Sequence, residues 1–210
     1  MMNMYRTKKI ILILILLILI IASCLIFYNI KYNYAKAVII SGLKDKVIAI
    51  EPELDYVSED RIIFHCIDGL FVYDLKNKKI DKTIDLAHIN SNYMNGSNYT
   101  QVLVSKDGNK VYIDNIGESL DNFIYEYNIK MNLLRKIKYK KINDKDRYIP
   151  NLKSEKILRI GLYSGCYGTI YNNIDVYLYM KNSELKNLQV LLHDKKNNKD
   201  TYYYIFEELR

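Results

Sequence analysis

The sequence predicts a mainly β protein, built as propeller-like antiparallel blades (about three to four) behind one N-terminal transmembrane helix. Three observations predict it: a charge-free apolar run over residues 10–28, a period-two alternation of apolar residues from Ala37 onward, and an internal echo spaced by 54 residues. The organisation these imply is a basic head at 1–9, a transmembrane helix or lipoprotein signal at 10–28, a linker at 29–36 and an exported β domain at 37–210.

The apolar run reads IILILILLILIIASCLIFY. At ~1.5 Å per residue it reaches across a hydrocarbon core of ~30 Å. Within it, Ile21-Ala22-Ser23-Cys24 has the pattern that a lipoprotein signal peptidase cuts before the cysteine is lipidated. A secretory apolar core usually ends after ~7–15 residues. Here it continues through Leu25-Ile26-Phe27-Tyr28. Two readings follow: an uncleaved single-pass anchor, or a lipoprotein carrying its lipid on Cys24. Arg6, Lys8 and Lys9 crowd before the run, while Lys31 and Lys36 are spread after it. The positive-inside rule then keeps the N-terminus cytoplasmic. In both readings the β domain sits on the outer side of the cell membrane.

The net charge is +7, three units of which lie in the basic head. Beyond it the charges are interspersed, as in KNKKIDK and NDKDR, which is the pattern of a solvated surface. The densest basic stretch, RKIKYKK from Arg135 to Lys141, carries no nucleic-acid motif and suits an anionic membrane better. Nucleic acid is therefore not an expected partner. With 50% apolar residues, the part outside the membrane can bury a core.

Period two assigns the strands. In FIYEYNI, Phe123, Tyr125, Tyr127 and Ile129 share one face, and Ile124, Glu126 and Asn128 the other. LFVYDL sets Phe71, Tyr73 and Leu75 against Val72 and Asp74, and IDVYLYM sets Val176, Leu178 and Met180 against Tyr177 and Tyr179. Asp68-Gly69 and Asp107-Gly108 are expected to supply the positive φ of tight hairpins.

The echo begins at Phe71 and Tyr125: Tyr73 matches Tyr127, Asp74 matches Asn128 and Ile80 matches Leu134. The returning strands slip by one, because Ile84 aligns with Ile137. A third copy is placed at Tyr179. Preceding segments also correspond through Ser58-Glu59-Asp60 and Ser105-Lys106-Asp107. Each unit thus has the four antiparallel strands of a propeller blade. The stretches at Ala37–Ile50 and Thr201–Leu209 are expected to close a fourth blade, which removes exposed sheet edges. An open β-meander or sandwich is the alternative.

SKDGNKVY followed by FIYEYNIKMNLLRKIKY resembles blades of bacterial YVTN-type and WD-like propellers. DYVSEDRIIFHCIDGLFVYDLKNKKIDKTIDL and YTQVLVSKDGNKVYI are similar to the extracytoplasmic C-terminal segment of some clostridial BlaR/MecR-type membrane proteins. Members of that family join a zinc metallopeptidase to an exported segment. This chain has one apolar span and no His-Glu-x-x-His, so the resemblance implies a sensor-like exported module without the peptidase.

No catalytic residue, metal site or cofactor is assigned. His65, His88 and His193 show no paired ligand spacing. A nucleophilic role for Cys166, in YSGCYG, requires His65 or His193 to approach it. Cys66 and Cys166 are the only cysteines beyond the membrane run, and either a disulfide between them or two free thiols fits. The polar loop from His88 to Gln101 offers a ligand site at Tyr93, Asn95, Asn98 and Tyr99, with Asn92, by ring stacking and amide hydrogen bonds. The function expected is extracytoplasmic binding or sensing of a peptide, a glycan or another envelope protein. The alternatives are an accessory structural subunit of a membrane complex and an envelope cysteine hydrolase.

Overall fold

The computed structural model describes residues 2–33, 35–46, 52–92, 94–95, 98–114, 123–149, 167–180 and 184–210. The chain divides into two compact units, Met1–Tyr34 and Ala35–Arg210.

The first unit is a helix, α1, over Met2–Asn33. It takes in the basic head and continues to Asn33, through most of the segment expected to be a linker. Lys9–Phe27 is long and apolar enough to cross a membrane, with a mean hydropathy of 3.6. Ser23 Oγ donates to the Leu19 carbonyl at 2.7 Å, so this hydroxyl is satisfied inside the helix, as a lipid environment requires. Cys24 is exposed on the same helix.

The second unit is mainly β. Sheet 1 is formed in chain order by β1 (Glu53–Val57), β2 (Arg61–Cys66), β3 (Gly69–Asp74) and β4 (Lys79–Asp85). A short hairpin follows, β5 (Met94–Asn95) with β6 (Asn98–Tyr99). Sheet 2 contains β7 (Val102–Val104), β8 (Lys110–Asp114), β9 (Phe123–Asn128) and β10 (Leu133–Lys140). Sheet 3 contains β11 (Tyr167–Tyr171), β12 (Ile174–Met180), β13 (Leu188–Asp194) and β14 (Lys199–Tyr204). Every neighbouring pair is antiparallel and consecutive in sequence, so each sheet is an up-and-down meander. The first strand β1 lies beside β7 and β11, the first strands of the other two sheets.

Sheet 1 is sandwiched. Ile62, Phe64, Phe71 and Tyr73 pack with Val176, Leu178 and Val190 of sheet 3. The alternate residues Ile63, Leu70 and Val72 pack with Val104, Val111 and Tyr127 of sheet 2. Two buried faces explain why RIIFHC and GLFVYD read as continuous apolar runs. Phe64 stacks on Phe71 at 5.0 Å between centroids, and Phe206 meets Phe71 edge-on at 5.3 Å. Such pairs add about 0.5–1.5 kcal/mol each beyond area burial.

Thr201–Tyr204 belongs to β14 of sheet 3 rather than to a fourth blade, and the opposing N-terminal stretch forms a 3-10 turn at Ile40–Leu43. The two ends do meet, because Leu43 and Leu209 share the core between sheets 1 and 3. The third repeat is also displaced. Tyr179 lies in β12, the second strand of its sheet, and the true counterpart of the β3–β4 and β9–β10 hairpins is β13–β14.

These three hairpins use one turn. Asp74, Asn128 and Asp194 each accept a hydrogen bond from the backbone N–H three residues on, at 2.8, 2.9 and 3.2 Å. The next residue, Lys78, Asn132 or Asn198, takes a left-handed φ of 48–53°. In a chain with eight glycines, asparagine supplies most of these positions, since its short amide tolerates that region. Gly69 does not supply one. It opens β3 after the turn residues Ile67 and Asp68, and is small because a Cβ there would lie 2.6 Å from Val38 Cγ2. Gly108, at φ 69°, does.

Candidate functional site

The polar loop expected to bind is organised by its base. β5 and β6 pair Met94 with Tyr99 and Asn95 with Asn98, so Asn95, Asn98 and Tyr99 ride on one hairpin. Their side chains, and all of Tyr93, lie outside the described residues. Both legs of the hairpin are anchored where they leave and rejoin the core. On the way in, Tyr125 donates from its hydroxyl to the Ile89 carbonyl at 3.2 Å. Thr100 Oγ1 donates to the Ser91 carbonyl and ties the two legs together. On the way out, Gln101 N–H donates to Asp114 Oδ1 at 3.0 Å.

Beneath Thr100 stands a buried charged pair. His65 Nε2 meets the Thr100 carbonyl at 3.1 Å, and His65 Nδ1 meets Asp55 Oδ2 at 2.8 Å. Side-chain exposure is 4% for His65 and 5% for Asp55. Asp55 reaches the histidine through a bulge: β1 pairs Leu54 with Phe64 and Tyr56 with Ile63, which leaves Asp55 as the extra residue. Bulges re-aim side chains in this way.

Burial pushes the Asp55 carboxyl up to about 6, against the pull of His65. Burial alone would lower His65, but the Asp55 carboxylate outweighs it, helped by Glu53 and the Thr100 carbonyl, and the imidazole rises to about 9. Between those limits the pair is an imidazolium and a carboxylate. Only the doubly protonated ring donates to Asp55 and to Thr100 together. The pair is a strut under the hairpin.

Glu53, Asp55 and His65 offer ligand atoms within 4.8 Å of one another. The 2.8 Å contact between Asp55 and His65 has hydrogen-bond spacing. Ligands held ~2.0–2.1 Å from a tetrahedral zinc stand roughly 3.3 Å apart. The Asp55–His65 edge of the trio is thus a hydrogen bond.

The histidines are not brought together. His65 points toward sheet 2, whereas His193 sits on the face of sheet 3 turned away from sheet 1, with Nδ1 at 2.7 Å from Asp200 Oδ1. His88 is exposed. Cys66 points into the core between sheets 1 and 3, and burial pushes its thiol up to about 12. Cys166 lies outside the described residues, and with it both the disulfide and the nucleophile readings.

A concavity of about 590 Å³ opens between sheets 1 and 2. Its floor is Val72 and Ile129, and Asp81, Lys82, Lys76 and Lys130 stand around it. Sequence patterning gave no sign of it, because its walls come from four separate hairpins.

No known protein-family profile matches the chain, and no curated protein matches it either.

Proposed function

We propose that this protein is a bacterial envelope recognition module: a single-pass N-terminal anchor holding a propeller-like β domain outside the cell, where it binds a peptide, a glycan or another envelope protein. The observation that carries the reading is the strutted hairpin. A polar, asparagine- and tyrosine-bearing loop is fixed at its base by a buried ion pair, which is the architecture of a loop held ready for contact. Three up-and-down sheets with adjacent first strands support the blade reading, although a complete ring needs more contacts than β1 makes with β7 and β11. The basic residues before the apolar span support an outward-facing domain, and the resemblance to the exported segment of BlaR/MecR-type proteins supports a sensor-like role.

The test is in two parts. A cysteine placed at exposed Met131 should react with a membrane-impermeant maleimide in intact cells. Reaction only after permeabilisation would end the extracytoplasmic reading. The full chain in detergent should then retain members of an envelope peptide and glycan array, and a Tyr93, Asn95, Asn98 and Tyr99 to alanine variant with unchanged circular dichroism should lose them. Equal retention by that variant would remove the loop from the reading.

A further inference from the structure

The concavity between sheets 1 and 2 differs from the strutted hairpin in chemistry and place. It is walled by the β1–β2 and β3–β4 turns on one side and by the β7–β8 and β9–β10 turns on the other. Its volume, about 590 Å³, is within the ~300–1,000 Å³ range of small-molecule sites. We propose that this cleft binds a small anion on an apolar stem, with a carboxylate or phosphate group held among Lys76, Lys82 and Lys130 and the stem lying on Val72 and Ile129. The assignment goes beyond the recognition reading above: it is a separate site, apart from the hairpin, with its own ligand class.

Committed and available charges divide cleanly. Asp60 accepts from the Ser58 hydroxyl and from Arg61 Nη2, the latter at 3.0 Å, so one acid and one base of the wall satisfy each other. Asp74 accepts from Asn77 twice, from the backbone N–H at 2.8 Å and from Nδ2 at 2.7 Å, to build its turn. These acids have their hydrogen bonds already. Asn77 is a neutral donor and leaves Asp74 its charge, so what remains is three lysines against Asp74 and Asp81, an excess of one positive charge. Lys76 and Lys130 form no ion pair among the described residues, and Lys82 Nζ is 3.8 Å from Asp81 Oδ1, which is a loose contact. The excess is positive and faces a partly apolar floor.

The backbone is shaped to put Asp81 and Lys82 at the cleft together. In a regular strand, consecutive side chains point to opposite faces. In β4 the register shifts: Tyr73 pairs with Ile80 and Val72 with Lys82, so Asp81 is an extra residue. That bulge lets both neighbours line one cavity. The sheet 2 counterpart has no extra residue here, since Tyr127 pairs with Leu134 and Glu126 with Arg135. The bulge is therefore particular to the strand that lines the cleft.

The test uses the full chain in detergent micelles and follows backbone amide shifts at Val72, Asn109 and Ile129. The probes are N-acetyl-leucine, phenyl phosphate and the neutral N-acetyl-leucinamide. At least one anion should shift these resonances saturably, with a Kd on the order of 1 mM for ligands of this size. The amide should leave them in place. Lys82→Met and Lys130→Met should each weaken binding by about fivefold or more, and Asp81→Asn should tighten it, because it removes a nearby like charge. Which anion binds distinguishes a carboxylate from a phosphate ligand. Saturation by neither anion, equal shifts with the amide, or wild-type affinity in both lysine variants would overturn the proposal. Shifts confined to the Met94–Tyr99 hairpin would overturn the cleft while leaving the recognition reading standing.

Discussion

The hydroxyl of Tyr127 donates a 2.7 Å hydrogen bond to Oδ1 of Asn132, the left-handed residue that closes its own hairpin. Tyr73 is the same position one repeat earlier, equally buried, and its hydroxyl has no partner among the described residues. The residue that should answer it is Lys78, which takes the same left-handed φ but carries no acceptor.

Lys78→Asn is accordingly expected to stabilise the protein. A new buried hydrogen bond is worth about 0.5–1.5 kcal/mol. Asparagine is also easier than lysine in the left-handed region. Against this, Lys78 Nζ lies 4.9 Å from the Tyr203 ring centroid, a contact worth about 0.5–1 kcal/mol at an exposed site. The net gain should reach several tenths of a kcal/mol or more and raise the thermal midpoint by about 1–4 °C. In a Tyr73→Phe background the gain from Lys78→Asn should shrink by the share that the hydrogen bond supplies. If that background gains as much, the hydroxyl is not the source.

This repeat shows what the sequence could and could not reveal. The match of Tyr73 with Tyr127, and the one-residue slip between Ile84 and Ile137, were both legible, and the slip is the Asp81 bulge in β4. Period two separated Phe71 and Tyr73 from Val72 correctly, because both faces of sheet 1 bury apolar residues. The third repeat was misplaced on Tyr179 because aromatic alternation recurs in adjacent strands, and only the Asp194–Asn198 turn marks the true hairpin. The Asp55–His65 strut left no local signal. Its members are ten residues apart on two strands, and their meeting depends on a bulge that ELDYV does not announce.

Gly108→Ala should be strongly destabilising. Gly108 has φ 69°, and a Cβ there would lie 2.4 Å from Cζ of Tyr56. Tyr56 cannot retreat easily, since Tyr148 meets it edge-on at 4.8 Å between centroids. Overpacking typically costs about 1–3 kcal/mol, and a left-handed alanine about 1 more. A loss of about 2–4 kcal/mol by urea unfolding is expected. Gly42→Ala is the control, because nothing lies within 4 Å of its Cβ position. Equal effects at the two sites would refute this account.

The mass of the protein taken from its native membrane should equal that of the full chain. Cys24 and Ser23 lie well inside α1, and the Ser23 hydroxyl is already satisfied by Leu19. The apolar surface runs on past Cys24 through Phe27. A chain beginning at Cys24 with a diacylglycerol adduct would instead show the lipoprotein route.

Stability should fall as pH rises from about 6.5 to about 9. His65 is raised above its usual 6.5 to about 9, so the folded state holds its proton more tightly than the unfolded chain does. That contribution is complete below 6.5 and is lost on passing through about 9. Asp55, raised from 3.8 to about 6, acts in the same direction at lower pH, since its ionisation on folding is costly between those values. The local consequence is sharper than the global one. Once neutral, His65 keeps its single proton toward Asp55 at Nδ1, and Nε2 then turns a lone pair to the Thr100 carbonyl, 3.1 Å away. The base of the β5–β6 hairpin loses its support. Protease cleavage within the hairpin should therefore rise above pH 9, relative to a cleavage site introduced elsewhere on the domain. His65→Gln, which has no ionisation there, should flatten both the proteolysis step and the slope of thermal midpoint against pH between 6.5 and 9. A wild-type slope in that variant would show that another group carries the dependence.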